Sequence, residues 1–275
     1  MSVRLRVVAP SLRDPRVTLL GALSTYTVLG QFVLFFDIRP LELAACLVTS
    51  GLLDLVMTVA MKRRLEIPLS GLITGLSIGL LLESYDLRVF FLASGWGVMS
   101  KYLVRYEGRH LFNPSNFAVV AALVLAHGSA AVSQGAQWGN HVGFALVILV
   151  LGSLMMIRVG RFPVVAGWLA GYVAMGFMRI LAGQGGLVFT LGPMTSAEFA
   201  LFSFSMLPDP KTSPAEVPTQ FAWGLGLGLM DGIMRLAGIK YSMFFALFAF
   251  CAARPWIEKI GQRLFRPGAL LASRS

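Results

Sequence analysis

Residues 41–61 read LELAACLVTSGLLDLVMTVAM, with Glu42 and Asp54 as the only charges. A helix rises 1.5 Å per residue, so roughly 20 apolar residues cross a hydrocarbon core about 30 Å thick. This stretch therefore predicts a membrane-spanning helix. Comparable runs recur on both sides of it. Together they predict helices over Val17–Phe36, Leu41–Met61, Ile67–Leu82, Leu87–Val104, Pro114–His127, Gly139–Ile157, Phe162–Ile180, Leu187–Leu207, Val217–Ala237 and Tyr241–Ala253. The third, fifth and tenth are short enough to be tilted, half-length or re-entrant. The expected fold is all-α: a polytopic integral membrane protein with about ten transmembrane helices.

Composition supports that expectation. Hydrophobic residues make up 56% of the chain and charged residues 13%, against roughly 25% charged in a soluble domain. So few charges do not cover a water-facing surface, and the expected solvent and main partner is the lipid bilayer. The net charge is +10, but the basic residues fall in short segments between apolar runs. That pattern follows the positive-inside rule and argues against a nucleic-acid partner. With the N-terminus inside, the cytoplasmic loops carry Lys62, Arg63 and Arg64, then Lys101, Arg105 and Arg109, then Arg158 and Arg161, then Lys211. Only the loop between the last two predicted helices breaks the alternation. Both termini are thus expected in the cytoplasm of a multi-pass protein of the bacterial plasma (inner) membrane. The organisation reads as a basic N-terminal segment, 1–16, a single transmembrane domain, 17–253, and a basic tail, 254–275. The apolar run after Arg16 is too long for a cleavable signal.

An internal repeat is legible over about 41–127 and 139–237. Pro68 followed by Gly71-x-x-x-Gly75 parallels Pro163 followed by Gly167-x-x-x-Gly171. Some forty residues on, Asn113-Pro114-Ser115 parallels Asp209-Pro210-Lys211-Thr212-Ser213-Pro214. Repeats in membrane folds place sites where the copies meet, whereas Gly-x-x-x-Gly by itself signals close helix packing.

These two loops are the candidate binding residues. Pro114 suits the first turn of a helix that Asn113 caps, and Asn116 adds an amide to that turn. The free N–H groups there, with Arg105 and Arg109 nearby, favour an anion. Three prolines within Pro208–Pro214 forbid regular helix and fix a rigid turn carrying Asp209, Lys211, Thr212 and Ser213. Charges inside the predicted spans form a second set: Asp54, Arg179, Glu198 and Asp231. An ionised group at the bilayer centre costs at least about 2.5–3.5 kcal/mol, so each is expected to face a partner or a cavity, with Glu198 and Arg179 as a candidate pair.

Metal and catalytic constellations are absent from the sequence. Cys46 and Cys251 are isolated in apolar runs, and His110, His127 and His141 have no metal spacing. There is no nucleophile elbow, P-loop or dinucleotide fingerprint. No catalytic residue is assigned.

The two motifs carry a family resemblance. Phe112-Asn113-Pro114 and Asp209-Pro210-Lys211-Thr212-Ser213-Pro214 resemble the F-N-P and T-D-P-x-T-S-P motifs of the D subunit of Rnf-type electron transport complexes. The B subunit of the Na⁺-translocating NADH:quinone reductase shares that fold, so the resemblance is RnfD/NqrB-like. Ser100 to Phe117 is similar to S-K-[FY]-L-x-R-x-x-G-[KR]-H-x-F-N-P-[ST]-N-F of the short UnbU-type relatives found beside enediyne biosynthesis genes. Asp14-Pro15-Arg16, Gln137-Trp138-Gly139 and Ala253-Arg254-Pro255-Trp256 extend the likeness over most of the chain. It implies an integral membrane subunit for flavin- or quinone-linked electron transport, ion-coupled, accessory rather than catalytic, with other membrane or soluble redox subunits as partners. It also implies a flavin. In the family, covalent FMN sits on the Thr of an S-G-A-T motif, where this chain reads Ser133-Gln134-Gly135-Ala136-Gln137. Gln bears no phosphoester, so the implied cofactor is noncovalent FMN or riboflavin, with Phe112, Phe117 and Trp138 as candidate stacking partners. The alternative reading of the residues is a small-solute transporter or permease, or a membrane anchor subunit, with no redox role.

Overall fold

The computed structural model describes residues 6–8, 10–11, 13–33, 39–132 and 142–265. Eleven α-helices are present among them: α1 (Pro15–Phe32), α2 (Pro40–Lys62), α3 (Leu69–Leu81), α4 (Leu87–Leu103), α5 (Pro114–Leu125), α6 (Val142–Val159), α7 (Phe162–Leu181), α8 (Leu187–Leu191), α9 (Ala197–Leu201), α10 (Val217–Leu236) and α11 (Ser242–Phe265). Starts agree with local chemistry. Asp14, Asp86 and Asn113 each accept from a backbone N–H of the first turn they cap, and proline opens α1, α2 and α5.

The count of about ten transmembrane helices is corrected. Among the described residues, α2 and α7 alone are long and apolar enough to cross a membrane, or three spans if the bent pair Leu187–Thr195 and Glu198–Met206 counts as one. For α3 and α5 the reason is length. α3 and α5 have 13 and 12 residues, reaching only about 20 and 18 Å. Their apolarity serves protein contact: ten residues of α3 are buried. The inside–outside alternation of loops rested on the count of ten and lapses with it. On α2, by contrast, Leu41, Val48, Leu52 and Val56 are each more than half exposed, as are Phe177, Met178 and Leu181 on α7. Exposed apolar faces of that extent are a hallmark of a membrane or partner surface.

Three other differences stand beside this one. The predicted helix Leu187–Leu207 is broken into α8, a 3₁₀ turn (Gly192–Thr195), α9 and a π-helical turn (Phe202–Met206), with a bend of 59°. Pro193 removes a backbone donor at the break, and Ser196 Oγ accepts from Phe199 N at 3.1 Å to restart the helix. α11 runs on through Pro255 to Phe265 rather than ending at Ala253. Short ladders also join distant segments in a fold expected to be all-α. β1 (Arg6–Val8) runs parallel to β2 (Arg64–Glu66), β3 (Leu82–Ser84) pairs antiparallel with β6 (Ala130–Val132), and β4 (Arg105–Tyr106) forms a hairpin with β5 (Arg109–His110). Glu107 and Gly108 turn that hairpin with positive φ, the two-residue geometry that suits strand twist.

The glycine pairs mark the tightest helix crossings. A Cβ on Gly71 would lie 2.5 Å from Ser50 O, and one on Gly75 2.7 Å from Cys46 O, so α3 rests directly on the α2 backbone. Gly171 and Gly228 do the same between α7 and α10, where a Cβ would meet Leu225 O and Trp168 O, each at 2.7 Å. The main core lies beside this second crossing and includes Trp168, Tyr172, Phe199, Phe202, Leu227 and Phe244. We expect Gly228→Ala to force α7 and α10 apart and to cost about 1–3 kcal/mol. Gly95→Ala, with nothing within 4 Å of the added carbon, should be neutral or slightly stabilising. Thermal unfolding in detergent of both variants against the parent checks the contrast.

Candidate functional site

The hairpin β4–β5 and the start of α5 bring His110 and Asn113 against the rigid turn that follows the π-helical segment. Asp209 is the junction. His110 Nε2 lies 3.0 Å from Asp209 Oδ2, and Asn113 Nδ2 donates to the same oxygen at 3.4 Å and to Met206 O at 3.3 Å. Asn113 Oδ1 meanwhile accepts from the backbone N–H groups of Ser115 and Asn116, at 3.1 and 3.2 Å. One amide thus caps α5 and anchors a loop almost a hundred residues away. Asp209 Oδ1 accepts from Lys211 N at 3.0 Å, and Ser213 Oγ donates to Asp209 O at 2.8 Å. Burial alone would raise the Asp209 pKa. The hydrogen bond and charge of His110, the Lys211 N–H and the Lys211 charge outweigh it and hold the carboxyl below its ordinary value.

A cavity of about 140 Å³ opens beside this junction. Asn113, Pro114, Ser115, Asp209, Pro210 and Lys211 line it, so both sequence motifs contribute. Arg16, Ser70, Thr74, Ser77 and His110 add polar groups, and Leu19, Ile73, Met155, Val159 and Phe204 supply the apolar wall. Three candidate residues stand elsewhere. Asn116 is buried and donates to Phe244 O at 3.2 Å. Thr212 is buried under the turn, and Ser213 accepts from Arg161 Nε at 3.0 Å. These three fasten the loops rather than face the cavity.

Asp54 and Asp231 are partnered. Asp54 takes Lys101 Nζ at 2.6 Å, Tyr102 Oη at 2.6 Å and Gly71 N at 2.9 Å, tying α2 to α3 and α4. Asp231 takes Arg235 Nε at 2.8 Å and Ser242 Oγ at 2.6 Å, and Arg235 Nη1 donates to Tyr172 Oη at 2.7 Å. The expected Glu198–Arg179 pair is not formed. Arg179 donates to Gln184 Oε1 at 3.3 Å and lies over the Phe189 ring. Glu198, half-buried on α9, has no hydrogen bond or ion pair among the described residues. The break in the helix put it on a different face from the one a continuous helix would give. No cluster of three or more His, Cys, Asp or Glu suited to a metal occurs among the described residues.

The residues present do not enclose a flavin ring. The cavity is smaller than the roughly 300–1,000 Å³ of pockets that bury drug-sized ligands, and Phe204 is the single aromatic among its lining residues. Phe112, expected as a stacking partner, packs on Phe248 at 4.5 Å and beside Phe117 at 5.4 Å, inside the core. Gln134, Gln137 and Trp138 lie outside the described residues. The cavity's size suits a compact group, and its lining offers both apolar side chains and polar ones of either charge. Sequence reasoning missed Arg16, the serines of α3 and His110. Arg16 and His110 were visible as basic residues beside the motifs, but their partners were separated by too much chain to be read. The chain matches no protein-family model and no curated protein.

Lys101→Met leaves Asp54 charged and buried with hydroxyl and amide partners alone, and we expect a loss of about 3–5 kcal/mol. Denaturant or thermal unfolding in detergent, with Lys101→Arg as the charge-preserving control, checks it. Asp209 gives a pH-dependent test. Its folded pKa lies below the ordinary 3.8, so its stabilisation is complete above that value and is lost as pH falls through the folded one. The stability gap between the parent and Asp209→Asn should therefore narrow as pH is taken below the ordinary carboxylate range.

Proposed function

We propose that the chain is an RnfD-like protein of the bacterial inner membrane, multi-pass, that serves electron transport linked to a flavin or quinone as an accessory subunit. Its working site is the cavity between the Asn113 and Asp209 loops. The observation that carries this reading is the convergence of the two motif loops on one carboxylate and one cavity. The apolar, lipid-suited faces of α2 and α7 support the membrane setting. A flavin held here would place its polar end in the cavity and its ring outside the enclosed volume, toward residues or partner subunits beyond it. The chain's own part is then to bind and orient, since none of its lining groups is a metal ligand set or an activated nucleophile. The test is purification in detergent, loading with FMN or riboflavin, and a visible spectrum of the protein fraction. Retained flavin that Asp209→Ala reduces severalfold is the expected result. No retention of either flavin or of a quinone would overturn the redox reading.

A second reading, a small-solute permease, is favoured by one observation: Glu198 is half-buried on a broken helix with no partner among the described residues, next to the charges of Asp231 and Arg235. Discontinuous helices with polar groups line substrate paths in transporters. Flux of a small solute into proteoliposomes, abolished by Glu198→Gln, is the outcome this reading requires; flux unaltered by that change removes Glu198 from any path.

A further inference from the structure

We propose that the mouth of the cavity is a binding site for a phosphoryl anion, held by Lys211 and Arg16. This rests on the cavity being the working site and specifies the chemistry it takes. The backbone groups of Lys211 are both already used. Its N–H donates to Asp209 Oδ1, and its carbonyl accepts from Arg254 Nη1 at 2.8 Å. Only the ammonium is left without a protein acceptor among the described residues, on a backbone that Pro208 and Pro210 stiffen. Arg16, in the first turn of α1, spends Nε and Nη2 on Asp14 at 2.6–3.1 Å. Its Nη1 has no acceptor among the described residues. Both residues line the cavity, with the hydroxyl groups of Ser70, Thr74, Ser77 and Ser115 behind them. Thr74 Oγ1 donates to Ser70 O at 2.8 Å, while the hydroxyls of Ser70, Ser77 and Ser115 can rotate to donate to an oxyanion.

The charge balance points the same way. Partial desolvation is the main cause that lowers the Lys211 pKa; the charge of Asp209 raises it, and those of Arg16, Lys62 and Arg105 lower it further. The Asp209 carboxylate already serves His110, Asn113 and the Lys211 N–H, and Asp14 is chelated by Arg16. Glu66 and Asp54 offset part of the remaining charge on Arg16. Two exposed cations, Arg16 and Lys211, therefore line one cavity, and the charge of Arg16 acts on Lys211. An anion entering between them relieves that repulsion and gains charge-assisted hydrogen bonds, and Arg in particular matches the geometry of phosphate oxygens. A carboxylate ligand would satisfy fewer of these donors than a phosphoryl group with three oxygens.

The same chemistry could arrive on a soluble phosphate or on an anionic lipid headgroup. The test uses the full chain in neutral detergent free of lipid, titrated with inorganic phosphate and pyrophosphate by calorimetry, and then in nanodiscs of phosphatidylglycerol or phosphatidylcholine. Lys211→Gln and Arg16→Gln should each weaken binding about tenfold. Asp14→Asn, which frees the Arg16 guanidinium, should strengthen it, and Arg88→Gln, whose guanidinium pairs with exposed Asp86, should leave it unchanged. The Asp14→Asn gain is a readout that misfolding does not mimic. Binding in detergent identifies a soluble phosphate. Phosphatidylglycerol retained over phosphatidylcholine only in nanodiscs, and lost in the two Gln variants, identifies a lipid. Neither form bound, or binding equal in all variants, overturns the site. Phosphate bound without any retained riboflavin or FMN upholds this site while overturning the flavin reading.

Discussion

A carboxylate withdrawn from water has to be shared among several donors, and Asp209 is where this chain meets that requirement. Its oxygens gather an imidazole, a side-chain amide and a backbone N–H. Because those groups come from the β4–β5 hairpin, the cap of α5 and the proline turn, satisfying one buried charge fixes the relative position of all three. The cavity is a consequence of that arrangement. Asn113 shows the economy of it: its oxygen holds two N–H groups at the head of α5 while its nitrogen reaches Met206 and Asp209. Remove the shared carboxylate and nothing else in the described polar contacts ties hairpin to turn so directly.

The helices around this junction approach one another through missing side chains. Gly71 and Gly75 let α3 lie on the backbone of α2, and Gly171 and Gly228 do the same for α7 and α10. At the first crossing Gly71 N also reaches Asp54 at 2.9 Å, beside Lys101 and Tyr102 of α4, while Asp231 pairs with Arg235 one turn along α10 and with Ser242 of α11. These ion pairs are satisfied from several directions, and each joins elements rather than facing open space. Lys211 and Arg16, by contrast, line the cavity with N–H donors that have no acceptor among the described residues.

Helix positions were legible in the sequence because apolar runs, caps and prolines act locally. Asp14, Asp86 and Asn113 start helices where the pattern requires, and most predicted boundaries fall within a few residues of the observed ones. The number of membrane spans was not legible. An apolar run of 12 or 13 residues looks alike whether lipid or protein surrounds it, and α3 is apolar because other helices enclose it. The Leu187–Leu207 run misled for a related reason: its hydrophobicity is continuous, but Pro193 and Ser196 interrupt the hydrogen-bond ladder and turn Glu198 away from Arg179. The short strand ladders were invisible because their partners are distant, as with Arg6–Val8 and Arg64–Glu66.

By itself, the sequence determined that the chain is mostly helical, that α2 and α7 are apolar enough for a bilayer, and that the Asn113 and Asp209 loops are rigid, polar and unlike their surroundings. Those are properties of residue type and near-neighbour spacing. Only the tertiary structure decided that the two loops share a carboxylate, that Asn116, Thr212 and Ser213 brace them instead of lining the cavity, and that Arg16 joins Lys211 at its mouth. Such decisions depend on which side chains meet across some fifty to two hundred residues of chain, and that is set by how helices pack, through steric fit and the need to pair buried polar groups, not by anything local to either stretch of chain.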